Sequence, residues 1–412
     1  MPEFLRLVPP TQALARWVSA IPEREPDREE VPAREALGRV LAEDIVAAHP
    51  LPTFARSTVD GYAVRAVDTF GASPSSPSYL RLVGEVPMGA LAEVRVGPGE
   101  AAVVHTGGAI PDGADAVVML EDTQRVPGGE IEVLKAMGVG RNIIALGEDV
   151  RQGEVVIERG RRLRPQEIGG LMALGRVRVS VYRRPKVAIL STGDEVVPPE
   201  SEPGPGQVRD VNSHTLAALV TRAGADPAPY GIVPDDVERL YRATREAQGS
   251  ADLIVITAGS SASARDNTAE VVRRLGAPGV LVHGLSIKPG KPAILGVADG
   301  TPVVGLPGNP VSALVVAGLL VVPVLRGLSG ERRPEITATV TARLTVNVPS
   351  EAGREDYVAV RLEGSPQGWM ADPVFGKSNL IFTLVRADGL IRVPPDSTGL
   401  EAGSVVDVVP FD

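Results

Sequence analysis

Cysteine is absent from the 412 residues. That excludes disulfides, thiolate metal sites and a cysteine nucleophile. Only four histidines are present, which argues against a His-based zinc centre. Aromatic residues make up 3% of the chain, so its cores must be built from Val, Leu, Ile and Ala. Basic charge is short as well. The net charge of -9 speaks against non-specific binding to DNA or RNA. The longest apolar run, "VSALVVAGLLVVPVL", stops at 15 residues with a proline inside it, whereas a bilayer span needs about 20. It reads as a buried helix. The start, "MPEFLRLVPPTQALARW", has no basic stretch leading into an apolar one, so no signal peptide is visible. The expectation is a cytoplasmic protein with no nucleic acid and no membrane as partner.

What is present is a long chain rich in punctuation. Its length suggests about two to four domains. Gly 45 and Pro 37 are spread along it, implying many tight turns. No tandem repeat or low-complexity segment occurs. Within residues 1–50, "TQALARWVSAI" and "PAREALGRVLAEDI" both carry helical apolar spacing. Residues 51–139 turn to short Val-rich runs separated by turns, a β-rich unit. Residues 140–178 return to mixed structure, with "RPQEIGGLMALG" a helix that has Pro165 in its first turn and Gly175 at its end.

From residue 185 strands alternate with helices. "KVAIL", "PAPYGIV", "ADLIVITAG" and "PVVGLPG" read as strands. "NSHTLAALVTRAG", capped by Asn212 or Ser213, "DDVERLYRATREAQG", capped by Asp235, "RDNTAEVVRRLG" and "NPVSALVVAGLL" read as helices. The pattern predicts a parallel sheet with both faces covered. Residues 329–412 hold strands without helices between them, a small β-barrel or sandwich.

Ligands of such sheets bind beyond the carboxyl ends of the strands. The loops there contain Ser191, Thr192, Gly193, Asp194 and Glu195, then Asp235 and Asp236. Next come Gly259, Ser260 and Ser261 in "AGSSASARD", which ends on Asp266. Lys288, Pro289, Gly290 and Lys291 follow, and last Pro307, Gly308, Asn309, Pro310 and Ser312. Small residues let backbone N–H groups approach a phosphate. Asn309 and Pro310 suit the start of a helix whose N-terminus favours an anion. The two lysines add charge, and carboxylates beside a phosphate imply a hard cation such as Mg2+. Taken singly, these features have structural readings: a solvated turn for "KPGK", a strand-to-helix turn for "LPGNP", a helix cap for Asp235. Gathered at one edge they point to a phosphate or nucleotide site. No Walker motif and no G-x-G-x-x-G is present, which disfavours an ordinary NTPase or dehydrogenase. In the β-rich unit, Asp60-Gly61 and Thr106-Gly107-Gly108 form turns that could face a ligand.

Six segments, "STVDGYAVR", "HTGGAIPDGADAVV", "GEDV", "ILSTGDEVV", "SIKPGKP" and "GLPGNPVS", occur in an order that resembles the molybdopterin molybdenumtransferases of the MoeA and gephyrin E-domain type. The resemblance covers nearly the whole chain. It implies a central three-layer α/β domain of molybdopterin-binding type (179–328) and a β-rich domain (51–139). It also implies an elongated linking and dimerisation domain (1–50 with 140–178) and a C-terminal β-barrel (329–412). The implied reaction takes adenylylated molybdopterin and molybdate, inserts the metal and hydrolyses the adenylate with release of AMP, aided by Mg2+. A homodimer with a shared cleft is implied, in which Asp60 and Thr106 reach the ligand from the partner subunit. Asp149 and Glu195 would shape the molybdate and metal region. Glu195, Asp235 and Asp266 would serve the metal, Lys288, Lys291, Pro307 and Pro310 the paired turns, and Ser378 the barrel's side.

Two segments depart from the family pattern. A Gly-Gly-Val-Ser-type loop is replaced by "AGSSASARD". The lysine that relatives carry four residues before "KPGK" is Gly284 here, with His283 and Arg265 as candidate replacements. The competing readings are a scaffold role, a variant inserting tungstate, and an adenylyltransferase acting one step earlier.

Overall fold

A computed structural model describes residues 7–258, 262–332 and 338–411, with residues 262–266 described in backbone only. Architecture follows the sequence in blocks. The linking unit is made from two distant segments. Strand Arg28–Pro32 pairs antiparallel with Arg178–Tyr182, and Ile45–Val46 pairs with Val155–Ile157. Helix Pro165–Ala173 closes over a core of Ala33, Leu41, Ile45, Leu163, Leu171, Val179 and Val181. Pro165 opens that helix, and Gly175 follows it at φ +71°.

"PAREALGRVLAEDI" is not a helix. It makes one 3-10 turn, Ala33–Glu35, then passes through Gly38 at φ +73°. Val40 bridges to Arg162 and Leu41 to Val181. Its apolar spacing serves pairing with distant strands, and tertiary contact outweighs helical propensity.

The β-rich unit is a six-stranded sheet in the order Ala116–Met119, Gly61–Val64, Glu100–Val104, Ser78–Glu85, Glu130–Val133, Thr123–Val126. Alternate residues face opposite sides. Tyr62 and Val64 join one core and Ala63 the other, so this strand is buried on both faces.

The α/β unit has six strands in the order Asp226–Val233, Lys186–Thr192, Leu253–Ala258, Thr301–Pro307, Ile294–Ala298, Pro278–His283. The first four are parallel; the last two pairings are antiparallel. The four strands read from the sequence form the expected parallel sheet, and two further strands, Ile294–Ala298 and Pro278–His283, extend it with antiparallel pairings. Asp299 and Gly300, both at positive φ, turn the chain straight back, and so short a connection allows only an antiparallel pair. The apolar run Pro310–Leu328 is long and apolar enough to cross a membrane. Here Val311, Ala313, Val316, Leu320 and Val324 lie in the core of this unit. It carries a π turn at Ala317–Val321, just before Pro323, whose missing N–H breaks the regular ladder.

Helix Pro10–Ala20 also packs on this unit and not on the linking unit with which residues 1–50 were grouped. Trp17 is fully buried, and its Nε1 donates to the Gly296 carbonyl at 2.7 Å.

In the C-terminal unit, Glu355–Ser365, Gly368–Pro373, Val340–Leu344, Val405–Pro410 and Gly389–Val393 close on themselves as a five-stranded barrel. One short helix, Phe382–Val385, interrupts the expected helix-free run. Strand Ile287–Lys288 leaves the α/β unit and pairs with the barrel at Glu355 and Asp356.

Candidate active site

The chain reversal in the sheet keeps the candidate loops on one edge. Strand Pro278–His283 runs parallel to Thr301–Pro307, so the segment after His283 starts from the same edge as the loop after Pro307. Beyond the first strand, Ser191 is buried and donates to Asp210 Oδ2 at 2.8 Å while accepting from Thr257. Its role is to fix the strand end. Asp210 Oδ1 also accepts from the Ser213 N–H. Asp210 is therefore the side chain that caps helix Asn212–Arg222, and the expected caps Asn212 and Ser213 are corrected. Asn212 instead donates to the Gly308 carbonyl at 2.8 Å, tying the "LPGNP" loop to this helix. Its Oδ1 and the Thr192 Oγ1 are buried without a hydrogen-bond partner, and a buried polar atom left unpaired is costly. Thr192 ends its strand and Asn212 begins its helix, both at this edge.

Gly193 sits at φ +140°, and a Cβ there would lie 2.6 Å from Glu195 Oε2. Glu195 thus folds back over a backbone that only glycine leaves open. Asp194 Oδ1 accepts from the Asp235 N–H at 3.1 Å. Helix Val237–Gln248 is capped by Asp236, whose side chain accepts from the Arg239 N–H. The expected cap, Asp235, is left free of that task. Partial desolvation, then repulsion from Glu195 and Asp194, push the Asp235 carboxyl above its ordinary value. Three carboxylates therefore share one corner. Among the described residues no Lys or Arg is paired with them.

On the other side of this edge stand the cations. Lys288 and Lys291 are both exposed. Lys288 Nζ is 3.7 Å from Asp356 of the barrel. Pro289 is half-buried, and Gly290 sits at φ +118° so close to the helix after "LPGNP" that a Cβ would lie 2.3 Å from Val316 Cγ2. The two turn motifs are therefore packed together. Pro307 ends its strand, Asn309 stands at the N-cap, Pro310 begins the helix, and Ser312 is buried. The Asn309 side chain does not cap, however. It donates to Ser378 Oγ at 2.9 Å, and the Val311 N–H donates to the Ser378 carbonyl. Ser378 is thereby placed in the same corner. Gly284 is buried at φ +105°, with its N–H bonded to Ala293 and its carbonyl accepting from Val8. No cation projects from there.

Asp60 and Thr106 are brought together: the Thr106 N–H donates to Asp60 Oδ1 at 2.8 Å. Among the described residues no hydrogen bond or ion pair joins them to the α/β unit of the same chain. Asp149 lies apart, in the loop where residues 147–150 pair with Leu51 and Pro52. Gly259, Ser260, Ser261 and the side chain of Asp266 lie outside the described part. Sequence reasoning missed Asp210 and Asp356 as site residues and reads Asn212 only as a cap. Only the charge-rich "GREDY" was a visible signal for Asp356.

The residues fit a hard cation in part. No three His, Asp or Glu among the described residues enclose a metal by themselves. Mg2+, however, is commonly held by one or two carboxylates with water and substrate phosphate completing the shell. Asp235 and Glu195 supply such donors, and the Asp235 carboxyl is raised first by burial and then by the nearby Glu195 and Asp194.

The comparisons agree along the whole chain. Residues 8–175 match the MoeA N-terminal region (domain I and II), 188–327 a probable molybdopterin binding domain, and 341–411 the MoeA C-terminal region (domain IV). A putative molybdopterin biosynthesis protein of Methanocaldococcus jannaschii is 36% identical over 389 residues, covering 92% of this chain and 91% of the relative. The molybdopterin molybdenumtransferase of Bacillus subtilis is 32% identical over 391 residues, 94% of this chain and 90% of that one. A crystal structure of the molybdopterin biosynthesis moeA protein from Pyrococcus horikoshii superposes with a TM-score of 0.85 at 36% identity, covering 98% of this chain and all of that one. With all three segments matched in order and relatives aligned nearly end to end, this chain belongs to the molybdopterin molybdenumtransferase (MoeA) family.

Proposed function

We infer that the protein inserts molybdenum into molybdopterin, a transferase step of molybdenum cofactor biosynthesis. One observation carries the reading at residue level: one sheet edge carries the exposed Lys288 and Lys291 on one side and Asp194, Glu195 and Asp235 on the other. Molybdate is a dianion and needs the first group. A phosphate-bound divalent cation needs the second. The substrate on this reading is adenylylated molybdopterin, whose phosphoanhydride takes up one water and releases AMP.

The chain's own residues then have distinct tasks. Lys288 and Lys291 neutralise oxyanion charge, and the Asn309–Ser378 bond fixes the turn beside them. Asp235 and Glu195 would hold Mg2+, which when bound polarises a phosphoryl oxygen. Positioning and electrostatic stabilisation supply most of the rate in phosphoryl chemistry. No observation favours a scaffold role. Mixing the protein with adenylylated molybdopterin, molybdate and Mg2+ and following AMP by chromatography tests the reading. Release is expected only with molybdate, and chelating Mg2+ is expected to slow it at least about tenfold. Release independent of molybdate would sink the reading.

The active protein on this reading is a homodimer whose cleft takes Asp60 and Thr106 from one subunit and the lysines from the other. The separation of the two groups within one chain supports it. Subunit mixing gives the test. Asp60→Ala and Asp235→Ala are each expected to be nearly inactive alone. After joint unfolding and refolding, mixed dimers hold one intact cleft each, and activity should return to about a quarter of wild type. A mixture no more active than its parents would place both residues in a one-subunit site.

A further inference from the structure

We propose that Asp356, buried in the C-terminal barrel, is a positioning residue that aims Lys288 at the oxyanion substrate. The proposal rests on the molybdenum-transferase reading of this edge. Asp356 and its neighbour Glu355 project to opposite faces of their strand, as strand geometry requires. Glu355 is satisfied within the barrel, accepting from Arg392 Nε at 2.8 Å and from the Tyr357 hydroxyl at 2.9 Å. Asp356 is different. Its Oδ1 accepts from Arg354 Nε at 2.9 Å, and its Oδ2 faces Lys288 Nζ at 3.7 Å.

The two ends of that ion pair are unequally exposed. The Asp356 side chain is 3% exposed and that of Lys288 60%. A buried carboxylate must be paired, and this one has part of its pairing in another domain. The backbone sets the geometry. Ile287 and Lys288 pair in parallel with Glu355 and Asp356, and the Glu355 N–H donates to the Ser286 carbonyl. Lys288 is thus held at its backbone by the barrel strand and steered at its tip by the barrel carboxylate. At 3.7 Å the contact orients the ammonium without consuming its donors, which stay available for an oxyanion. A lysine carries a long flexible stem, and a fixed carboxylate lowers the ordering cost when the anion binds.

Simple charge and positioning predict opposite signs. Removing a negative charge beside an anion site should tighten anion binding if charge alone mattered. Losing the tether should weaken it. Equilibrium dialysis with molybdate, on the full chain, reads the sign. Asp356→Asn keeps shape and the Arg354 bond and is expected to raise the molybdate Kd about tenfold. The KM for molybdate should rise alongside, with kcat changing less. Lys288→Met should lose at least as much, and the double variant should lose no more than Lys288→Met alone, because Asp356 acts through Lys288. Unchanged or tighter binding by Asp356→Asn, or additive losses in the double variant, overturns the proposal. Should Asp356→Asn fail to fold, Lys288→Met decides alone: a Kd within about twofold of wild type overturns it. Wild-type turnover is scored separately. AMP release independent of molybdate sinks the functional reading, while molybdate binding kept by both variants sinks only the role of Asp356.

Discussion

Replacing Asp235 with Asn should lower molybdate-dependent AMP release by about 100-fold or more while leaving the protein at least as stable. Both halves come from the same corner. Asp235 is not the helix cap; Asp236 is. Its carboxyl is raised by partial desolvation and by repulsion from Glu195 and Asp194. A carboxyl whose folded pKa lies above its unfolded one adds stability only at low pH. That contribution is lost as pH rises through the raised folded value. At neutral pH the ionised group therefore works against the fold when no cation is bound. Asn removes the repulsion, keeps the size and replaces an anionic oxygen pair with one neutral amide oxygen, a weaker ligand for a divalent cation. Thermal unfolding at pH 5 and pH 8, with and without Mg2+, reads this directly. Wild type should gain more from Mg2+ than Asp235→Asn does, and the gain should be larger at pH 8. Equal gains in both proteins would remove Asp235 from the cation site.

Trp17→Ala is expected to cost about 3–5 kcal/mol, the range for deleting a large buried aromatic side chain. Trp17 is fully buried in the core shared by the sheet and the apolar helix. Removing it leaves a cavity and strips the Gly296 carbonyl of its donor. At roughly 2–4 °C per kcal/mol for a unit of this size, the midpoint of the α/β unit should fall by about 10 °C. Circular dichroism with temperature is the measurement. Trp17→Phe keeps most of the apolar burial and should lose about 1 kcal/mol, mainly the hydrogen bond. The effect should also reach the site. The chain just before this helix pairs with the "KPGK" region, since the Val8 N–H donates to Gly284 and its carbonyl accepts from Ser286. Molybdate binding by Trp17→Ala should weaken below its melting temperature. If the midpoint moved by less than 2 °C, the N-terminal helix would not be an integral part of the unit.

The candidate site was legible where local chemistry and strand direction decide it. Alternation of apolar runs with helical patterns placed five loops at one sheet edge, and four of them lie in described residues. Legibility failed where distant chain segments compete for the same group. Asp235 and Asp236 are indistinguishable as caps in sequence; the turn geometry chose Asp236. Asn212 looked like a cap, but the Gly308 carbonyl, 96 residues away, took its amide. "PAREALGRVLAEDI" had helical spacing, but Val40 and Leu41 found strand partners more than 100 residues on.

Composition, turn chemistry and strand–helix alternation determined by themselves the block order, the α/β edge and the residue types collected there. These depend on neighbours in sequence: glycine at positive φ, proline at a helix start, an apolar run covered on both faces. Tertiary structure alone decided which lysine meets which carboxylate, that the barrel lends a strand to "KPGK", and that the first helix belongs to the α/β unit. Such pairings join segments tens to hundreds of residues apart. No local preference encodes them, because their energy exists only once the cores have closed and the loops at the sheet edge are held side by side.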